Sequence, residues 1–338
     1  MPNPIKRIIE DLIVSSPLLL KQPYLLHRAF FRKKVAILMY HGVVRTPLEV
    51  PDWCFVSEQE FTRQMEYLHR HFRVVSLARA TKALRENRVN EPTAVITFDD
   101  GYQNVHDVAY PVLSRLGLPA TVFINTAFIN TANTVWFCIL NQAIAETARR
   151  EFSWEGQGYD LSSPASRGRS CARLQSLLKQ LPHQELLEKL AGIREELDIH
   201  TPAEVAEDSP FRLLDTRSIV EMSASGLIEF GAHTATHTIL SRIDEARARQ
   251  EIISSIEDTQ RLTGKPCTLF AYPNGQPGDY TEAVISFLAS SGIEAAVTTR
   301  NGPSTGSTPA LELRRYGIGA NLSMLPFVLR VHHLLPDS

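Results

Sequence analysis

Two neighbouring carboxylates follow an apolar, β-branched segment in the first third of the sequence. Residues 95–98 run directly into Asp99, Asp100 and Gly101. Adjacent carboxylates repel each other, so such a pair normally persists with a cation or a proton between its members. The carboxyl end of a parallel strand is also where α/β enzymes build their active sites. The pair therefore indicates a candidate site, although an ordinary Asp-Asp-Gly turn before a helix explains the same residues.

Two histidines, His233 and His237, follow a second apolar segment, residues 227–230. On a helical turn this i, i+4 spacing puts both imidazoles on one face, close enough to bind one ion. The alternative is two unrelated polar histidines, since the chain contains 11 histidines. Two histidines and one carboxylate, with positions left open for water, form a recurrent catalytic metal site. Because both motifs follow barrel-type strands, the sequence favours a hydrolytic metal site.

The composition restricts the classes of protein to which the chain can belong. Of its 338 residues, 43% are hydrophobic and 21% are charged, as expected for a packed domain. The formal net charge of −2 gives no indication of nucleic-acid binding. Four scattered cysteines argue against a zinc ribbon or a disulfide framework and predict a reducing, cytoplasmic location. Any metal ion would therefore be bound by histidine and carboxylate.

Short apolar segments alternate with amphipathic ones, a pattern typical of parallel βα units. The predicted strands are residues 35–40, 94–98, 121–124, 228–231, 269–272, 295–298 and 316–318. The clearest predicted helices are residues 58–71, 105–116 and 245–262. Strands of this number predict a closed or nearly closed α/β barrel. The alternation stops at about residues 137–215, where segments 174–181, 185–197 and 203–207 predict a helical insertion on the loop face of the barrel.

The chain divides into a predicted N-terminal helical extension (residues 1–33), a barrel (residues 34–325) and a C-terminal tail (residues 326–338). Residues 1–34 contain seven basic and two acidic side chains around an apolar stretch that Pro17 and Lys21 interrupt. That stretch is too short and too broken for a transmembrane helix or a secretory signal. The preferred interpretation is a helix packed on the barrel. The alternative is a peripheral contact with the inner face of the membrane through residues 1–34.

Residues 97–101 and 233–237 resemble the first two motifs of the polysaccharide deacetylases, also called the NodB homology domain or carbohydrate esterase family 4. The resemblance extends over about residues 34–320. It implies a distorted (β/α)7-type barrel and an enzyme that removes N-acetyl groups from amino sugars. By position in these motifs, Asp99 would be the general base. Asp100, His233 and His237 would bind a divalent metal ion, with Zn²⁺ the expected one.

Two further segments match the family less closely. Residues 270–275 resemble its third motif, which forms one wall of the substrate groove, so Tyr272 and Pro273 are candidate substrate-binding residues. The arginine that commonly precedes this motif is missing here. Arg315, in a neighbouring predicted strand, is a further candidate that would supply the guanidinium and orient Asp99. An ordinary surface arginine is the alternative.

The family's last motif, Leu-x-x-His, supplies the general acid and usually lies near the C-terminus. In this chain residues 38–41 match it at the end of the first strand, so His41 is the candidate acid and Tyr40 a candidate groove residue. The arrangement resembles the circularly permuted deacetylases that process poly-N-acetylglucosamine. A barrel tolerates it because the first and last strands are neighbours on closure. A competing match, residues 329–332, ends at His332.

The resemblance implies a hydrolase whose partner is an N-acetylated carbohydrate, either a polysaccharide or its precursor. Asp99 would take a proton from the attacking water, and His41, as imidazolium, would protonate the departing amine. Two other functions stay open: an amidohydrolase that acts on a small-molecule amide, and a sugar-binding module with a relict site. Retention of Asp99, Asp100, His233, His237 and a candidate acid argues against the relict.

Overall fold

The structure is a computed structural model, and it describes residues 33–334. These residues form strands β1 Lys34–Tyr40, β2 Gly42–Val44, β3 Phe55–Ser57, β4 Arg73–Val74, β5 Thr93–Phe98, β6 Ala120–Ile124, β7 Glu151–Trp154, β8 Gln157–Asp160, β9 Ile228–Ala232, β10 Leu269–Ala271, β11 Ala295–Asn301, β12 Ser304–Thr305 and β13 Leu313–Gly317. The predicted N-terminal extension, and its alternative role in membrane contact, lie outside the described residues except for Lys33 and Lys34. Between residues 33 and 334, no helix is long and apolar enough to cross a membrane.

Seven of these strands close into a parallel barrel. Their order is β1-β13-β11-β10-β9-β6-β5, and β5 pairs in turn with β1. The closing pair keeps one parallel register from Val35 opposite Thr93 to Tyr40 opposite Phe98. Strand β1 therefore lies between β13 and β5, the strand that precedes Asp99. The predicted seven-stranded parallel barrel is confirmed, and each predicted strand overlaps one strand of the ring.

Alternation along the strands separates the barrel interior from the surrounding helices. Successive side chains of a strand point to opposite faces. Val35 and Ile37 of β1 accordingly pack inside with Val95 of β5 and Leu313 of β13, whereas Leu38 packs outward. Burial of each such apolar side chain contributes about 1.5–3 kcal/mol. The amino-terminal part of the interior is thus an apolar core, which supports the polar residues at the carboxyl ends.

The helices are α1 Glu58–His71, α2 Leu77–Arg85, α3 Tyr110–Leu116, α4 Trp136–Glu146, α5 Pro164–Leu178, α6 His183–Glu196, α7 Thr216–Ala224, α8 Glu245–Thr263, α9 Glu282–Ser290 and α10 Met324–Val331. Side-chain caps begin several of them. Ser57 accepts from the Glu60 amide at α1, and Asp244 accepts from the Arg247 amide at α8. Each such cap contributes about 1 kcal/mol. Helix α3 ends, as predicted, at Gly117, whose φ of 64° is left-handed.

The segment between β6 and β9 contains the predicted insertion. Helices α4, α5 and α6 form most of it, and the antiparallel hairpin β7–β8 connects α4 to α5. No pattern in the sequence predicts this hairpin. Its turn residues Glu155 and Gly156 have φ of 49° and 74°, as a two-residue turn of type I′ requires. The helix predicted at residues 203–207 is wrong, because this segment is irregular and the Val205 amide donates to the Ala132 carbonyl at 2.8 Å.

Helix α10 follows the barrel and packs against α1. Phe327 and Val331 are fully buried, and the Phe327 ring lies 6.3 Å from the ring of Tyr67 in α1. The sequence indicates a C-terminal helix around residues 329–332, within the segment 326–338 assigned to the tail, and in the structure this helix begins earlier, at Met324.

Candidate active site

The carboxyl ends of the barrel strands open into a cleft of about 460 Å³. Its walls include His41, Asp99, Asp100, His233 and His237. His41 follows β1, the two aspartates follow β5, and the two histidines follow β9. In the barrel, β5 pairs with β1 on one side, and on the other side β6 lies between β5 and β9. Closure of the barrel therefore brings residues from distant parts of the chain to one cleft.

Three of the candidate groove residues lie elsewhere. Tyr40 points outward from β1, is fully buried, and donates to Gln64 Oε1 at 2.8 Å. Tyr272 is also buried, and its hydroxyl donates to the Leu311 carbonyl at 3.0 Å. Pro273 is buried as well, and none of the three lines the cleft. The prediction that both tyrosines line the groove is therefore wrong. Because side chains alternate along a strand, these two face outward and pack against the elements around the barrel.

A buried arginine holds Asp99 in place. Arg315 Nη1 and Nη2 donate to Asp99 Oδ1 and Oδ2 at 2.6 and 2.7 Å. Nε donates to the Thr298 carbonyl at 2.8 Å, and Nη1 also donates to Thr97 Oγ1 at 3.1 Å. Because Arg315 is 0% exposed, it contacts Asp99 and does not line the cleft as a substrate-binding residue would. Burial raises the pKa of Asp99, but the charge and hydrogen bonds of Arg315 outweigh burial and lower it below its usual range.

Asp100, His233 and His237 form a group that could hold a metal ion. One ligand atom from each lies within 4.8 Å of the others. His233 Nε2 and His237 Nε2 lie 3.4 and 3.3 Å from Asp100 Oδ1. His233 Nδ1 donates to the Ala271 carbonyl at 2.8 Å, which leaves the lone pair of Nε2 directed at this group.

The electrostatics of this group fit a divalent ion. Asp100 is 0% exposed, yet neither of its carboxylate oxygens has a hydrogen-bond partner among the described residues. A buried charge without partners is costly, and a cation between Asp100 and the two imidazoles would remove that cost. Burial lowers the pKa of His237 to about 3, so its imidazole is neutral and has a lone pair for a metal ion.

The backbone around the group is strained. Asp100, Thr234 and His237 have φ of 71°, 61° and 57°, in the left-handed region that costs a non-glycine residue about 1–3 kcal/mol. At Asp100 this turn brings the carboxylate into the same cleft as Asp99, although regular alternation would send the two to opposite faces. Gly101 follows with φ of 75°, and a Cβ there would lie 2.8 Å from Ile124 Cγ2.

Glu251 of α8 stabilises the loop that carries His237. Its carboxylate accepts hydrogen bonds from the amide and from the hydroxyl of Thr236, both at 2.9 Å, and the residue is only 6% exposed. These bonds offset part of the strain at Thr234 and His237. Glu251 could not be identified from the sequence, because helix α8 also carries exposed glutamates such as Glu257 and nothing in its sequence distinguishes the two.

We expect Glu251→Ala to lower the free energy of unfolding by about 2–3 kcal/mol, since hydrogen bonds to a charged group contribute about 1.5–3 kcal/mol. The change should also weaken the binding of a divalent probe ion at the His-His-Asp group, because the His237 loop loses its anchor. Urea unfolding and calorimetric titration with Zn²⁺ measure the two effects. Glu257→Ala, on the exposed face of the same helix, is the matched control and should change neither. Wild-type Zn²⁺ affinity in Glu251→Ala would contradict the positioning role.

His41 directly follows β1 and lines the same cleft. Its ring packs edge-on against Trp53, with ring centroids 5.1 Å apart, and its Nδ1 has no hydrogen-bond partner within the described part of the chain. Burial lowers the pKa of His41, and the carboxylates of Asp100 and Asp99 oppose this only in part. The competing residue His332 is fully buried, lies 2.8 Å from a tyrosine hydroxyl of α1, and does not line the cleft.

Several other cleft residues come from segments that the motifs do not cover. Trp53 precedes β3 and is 47% exposed, Lys179 follows α5 in the insertion, and Arg330 belongs to α10. A single tryptophan, lysine or arginine in such a segment carries no pattern that would have identified it. Asn274 and Gln276 also line the cleft, and their position in and directly after the third motif could have indicated them.

Comparisons with known proteins agree on one family. The sequence profile of the polysaccharide deacetylases matches residues 86–296. YxkH, a candidate polysaccharide deacetylase of Bacillus subtilis (strain 168), is 36% identical over 93 residues, which are 27% of this chain and 31% of YxkH. Poly-beta-1,6-N-acetyl-D-glucosamine N-deacetylase of Staphylococcus epidermidis is 33% identical over 103 residues, which are 30% of this chain and 35% of that protein. The matched segments span about a third of each of these relatives.

A solved structure shares the fold over most of its length. The Streptococcus pyogenes deacetylase PplD in complex with acetate superposes with a TM-score of 0.59, covering 89% of this chain and 99% of PplD. At 18% sequence identity, this likeness concerns the fold. The profile match at residues 86–296 leaves out β1, which precedes His41, and β13, which carries Arg315.

Proposed function

The chain belongs to the polysaccharide deacetylase family, and from this premise we propose that it is a metal-dependent hydrolase that removes N-acetyl groups from amino sugars of a polysaccharide or its precursor. The observation that carries the proposal is one cleft that combines an arginine-paired carboxylate, a His-His-Asp group and a further histidine. A relative named for the N-deacetylation of poly-beta-1,6-N-acetyl-D-glucosamine supports the substrate class.

Asp100, His233 and His237 would hold the ion, and Zn²⁺ suits a set of two imidazoles and one carboxylate. When bound, such an ion supplies Lewis acidity that polarises a carbonyl group and lowers the pKa of water toward about 7. The partnerless oxygens of Asp100 and the oriented ring of His233 support this assignment.

Asp99 is the proposed general base. Arg315 keeps its carboxylate ionised and fixed, so that Asp99 can accept a proton from a water molecule as it attacks the acetamide carbon. His41 is the proposed general acid. In its protonated form it would donate a proton to the sugar nitrogen as the carbon–nitrogen bond breaks, so that acetate and a free amine leave.

The test measures bound metal and released acetate on the same preparations. Wild-type protein is expected to retain a divalent ion and to release acetate from oligomers of N-acetylglucosamine. His237→Ala should lose both the ion and the activity but keep most of its stability, since an open catalytic site is not a structural clamp. His200→Ala, an exposed histidine of the insertion, is the control. Acetate release by metal-free protein, or full activity in His237→Ala, would contradict the proposal.

We expect kcat/KM to fall as the pH rises through the pKa of His41, because a general acid must be protonated to donate. Burial lowers that pKa below the usual 6.5; Arg315 and His233 add to the lowering, while Asp100 and Asp99 oppose it. The decline should therefore be centred below pH 6.5. His41→Gln should lower the rate and remove this part of the pH profile. A His41→Gln profile with the same alkaline decline would return the acid role to another residue.

A further inference from the structure

Two cationic side chains that have no proposed catalytic role also line the cleft. Lys179 directly follows α5 in the insertion, and Arg330 lies in the last turn of α10. Neither forms an ion pair within 4.0 Å of a carboxylate in residues 33–334. Both therefore present positive charge to the cleft without a carboxylate in ion-pair contact.

The two carboxylates of the cleft already have partners other than Lys179 and Arg330: Arg315 for Asp99, and the proposed metal ion for Asp100. Asp99 and Asp100 are the only carboxylates among the described residues that line it. Asp99 is neutralised by its two hydrogen bonds to Arg315, and Asp100 would face the metal ion. A bound divalent ion would add further positive charge, so the cleft has an excess of positive charge that a neutral sugar cannot balance.

Arg330 is held in a defined position. Its Nη1 donates to the carbonyl of Gly317, the last residue of β13. Burial lowers the pKa of Arg330. A half-buried guanidinium with a single carbonyl acceptor keeps most of its donors for a ligand, and its planar shape suits carboxylate or phosphate.

The two cations share the cleft wall with an exposed aromatic ring, that of Trp53. A Cβ on Gly317, the residue that Arg330 contacts, would lie 3.9 Å from the ring of Trp53. Lys179 and Cys54, the residue after Trp53, also line this cleft. A sugar ring stacked on the 47% exposed Trp53 would therefore lie in the cleft that both cations line.

Building on the proposed deacetylase function, we propose that the amino sugar substrate carries an anionic group, a phosphate or a carboxylate, that Lys179 and Arg330 bind beside Trp53. The simpler explanation for both residues is stabilisation of helix C-termini, where cations are favoured. That explanation predicts an effect on stability and no selectivity for anionic substrates. Substrate preference therefore separates the two.

The experiment compares three oligosaccharides of N-acetylglucosamine: a neutral trimer, the same trimer with a phosphate at its reducing end, and a tetramer that alternates with glucuronate. Acetate release gives kcat/KM for each. Calorimetry on Asp99→Asn protein gives the dissociation constants without turnover. At low ionic strength, at least one anionic oligosaccharide should exceed the neutral one by about tenfold in both measurements. The preference should shrink with added salt, since screening weakens partly exposed charges. Which anionic probe is preferred identifies phosphate or carboxylate as the group recognised.

The double variant Lys179→Gln/Arg330→Gln should reduce the preference to within about twofold. Arg79→Gln/Lys82→Gln, two cations of α2 outside the cleft, should retain it. Equal values for neutral and anionic oligosaccharides in wild type, or a preference that survives in the Lys179/Arg330 variant, would overturn the inference. Deacetylation of the neutral trimer without any anionic preference would leave the proposed function intact. Selective binding without acetate release would contradict the function and retain the anion site.

Discussion

Asp99→Asn is expected to lower the rate of acetate release by at least about two orders of magnitude, the usual contribution of a general base. The amide has the size of the carboxylate but cannot accept a proton from water. Asp99 is not part of the His-His-Asp group, so the variant should keep its metal ion. Steady-state kinetics and metal analysis on one preparation measure both quantities.

Asp100→Asn is the matched comparison, because Asp99 and Asp100 are adjacent but are proposed to act as general base and metal ligand, respectively. It removes the negative charge that lies 3.4 and 3.3 Å from His233 and His237, so it should lower metal affinity directly. Its loss of activity should be partly recovered by excess Zn²⁺, whereas that of Asp99→Asn should not. Indistinguishable metal content and rates in the two variants would show that the roles are assigned incorrectly.

The barrel could be predicted from the sequence because its strands are short apolar runs between helix signals. Residues 35–40 and 94–98 have no competing interpretation, and the two strands pair along six residue pairs in the closed ring. The hairpin β7–β8 was missed because its strands are largely exposed and have little apolar pattern. Local sequence therefore identified the strands of the core and helices α5 and α6 of the insertion, but not the hairpin.

The structure brings the motif residues together in one cleft, but not all of the residues predicted beside them. Asp99, Asp100, His233 and His237 share a cleft because each follows the carboxyl end of a barrel strand. Tyr40 is predicted to line the groove, but Ile37 of the same strand faces the barrel interior. Tyr40 lies three positions further along, so it faces the opposite side, outward. Strand parity alone would have excluded it.

The rest of the cleft depends on tertiary structure. Trp53, Lys179 and Arg330 come from a loop, the insertion and the C-terminal helix, and only packing brings them to the same side of the barrel. Glu251 differs from the other glutamates of α8 only in its hydrogen bonds to Thr236, which depend on the tertiary structure. No spacing rule connects such residues to the motifs, so the sequence could not indicate them.

Arg315→Met is expected to lower the free energy of unfolding at pH 7 by about 3–5 kcal/mol, the usual cost of breaking a buried ion pair by removing one partner. Asp99 would keep its charge in a site that is 2% exposed, with both hydrogen bonds from Arg315 lost. Arg315→Lys should be intermediate, because lysine retains the charge but cannot donate to both carboxylate oxygens in a fixed plane. Urea unfolding at pH 7 measures these differences.

Arg300→Met is the control on the adjacent strand β11, since the Arg300 pair with Glu312 is partly exposed and its two atoms are 3.7 Å apart. Such a pair contributes about 0–1 kcal/mol. The double variant Asp99→Asn/Arg315→Met gives the decisive comparison. If the loss in Arg315→Met comes from a stranded carboxylate, removing that charge as well should restore part of the stability, so the two changes are non-additive. Equal losses in Arg315→Met and Arg300→Met, or strict additivity in the double variant, would mean that Arg315 acts only through packing. Arg315 would then have no demonstrated part in orienting the proposed base.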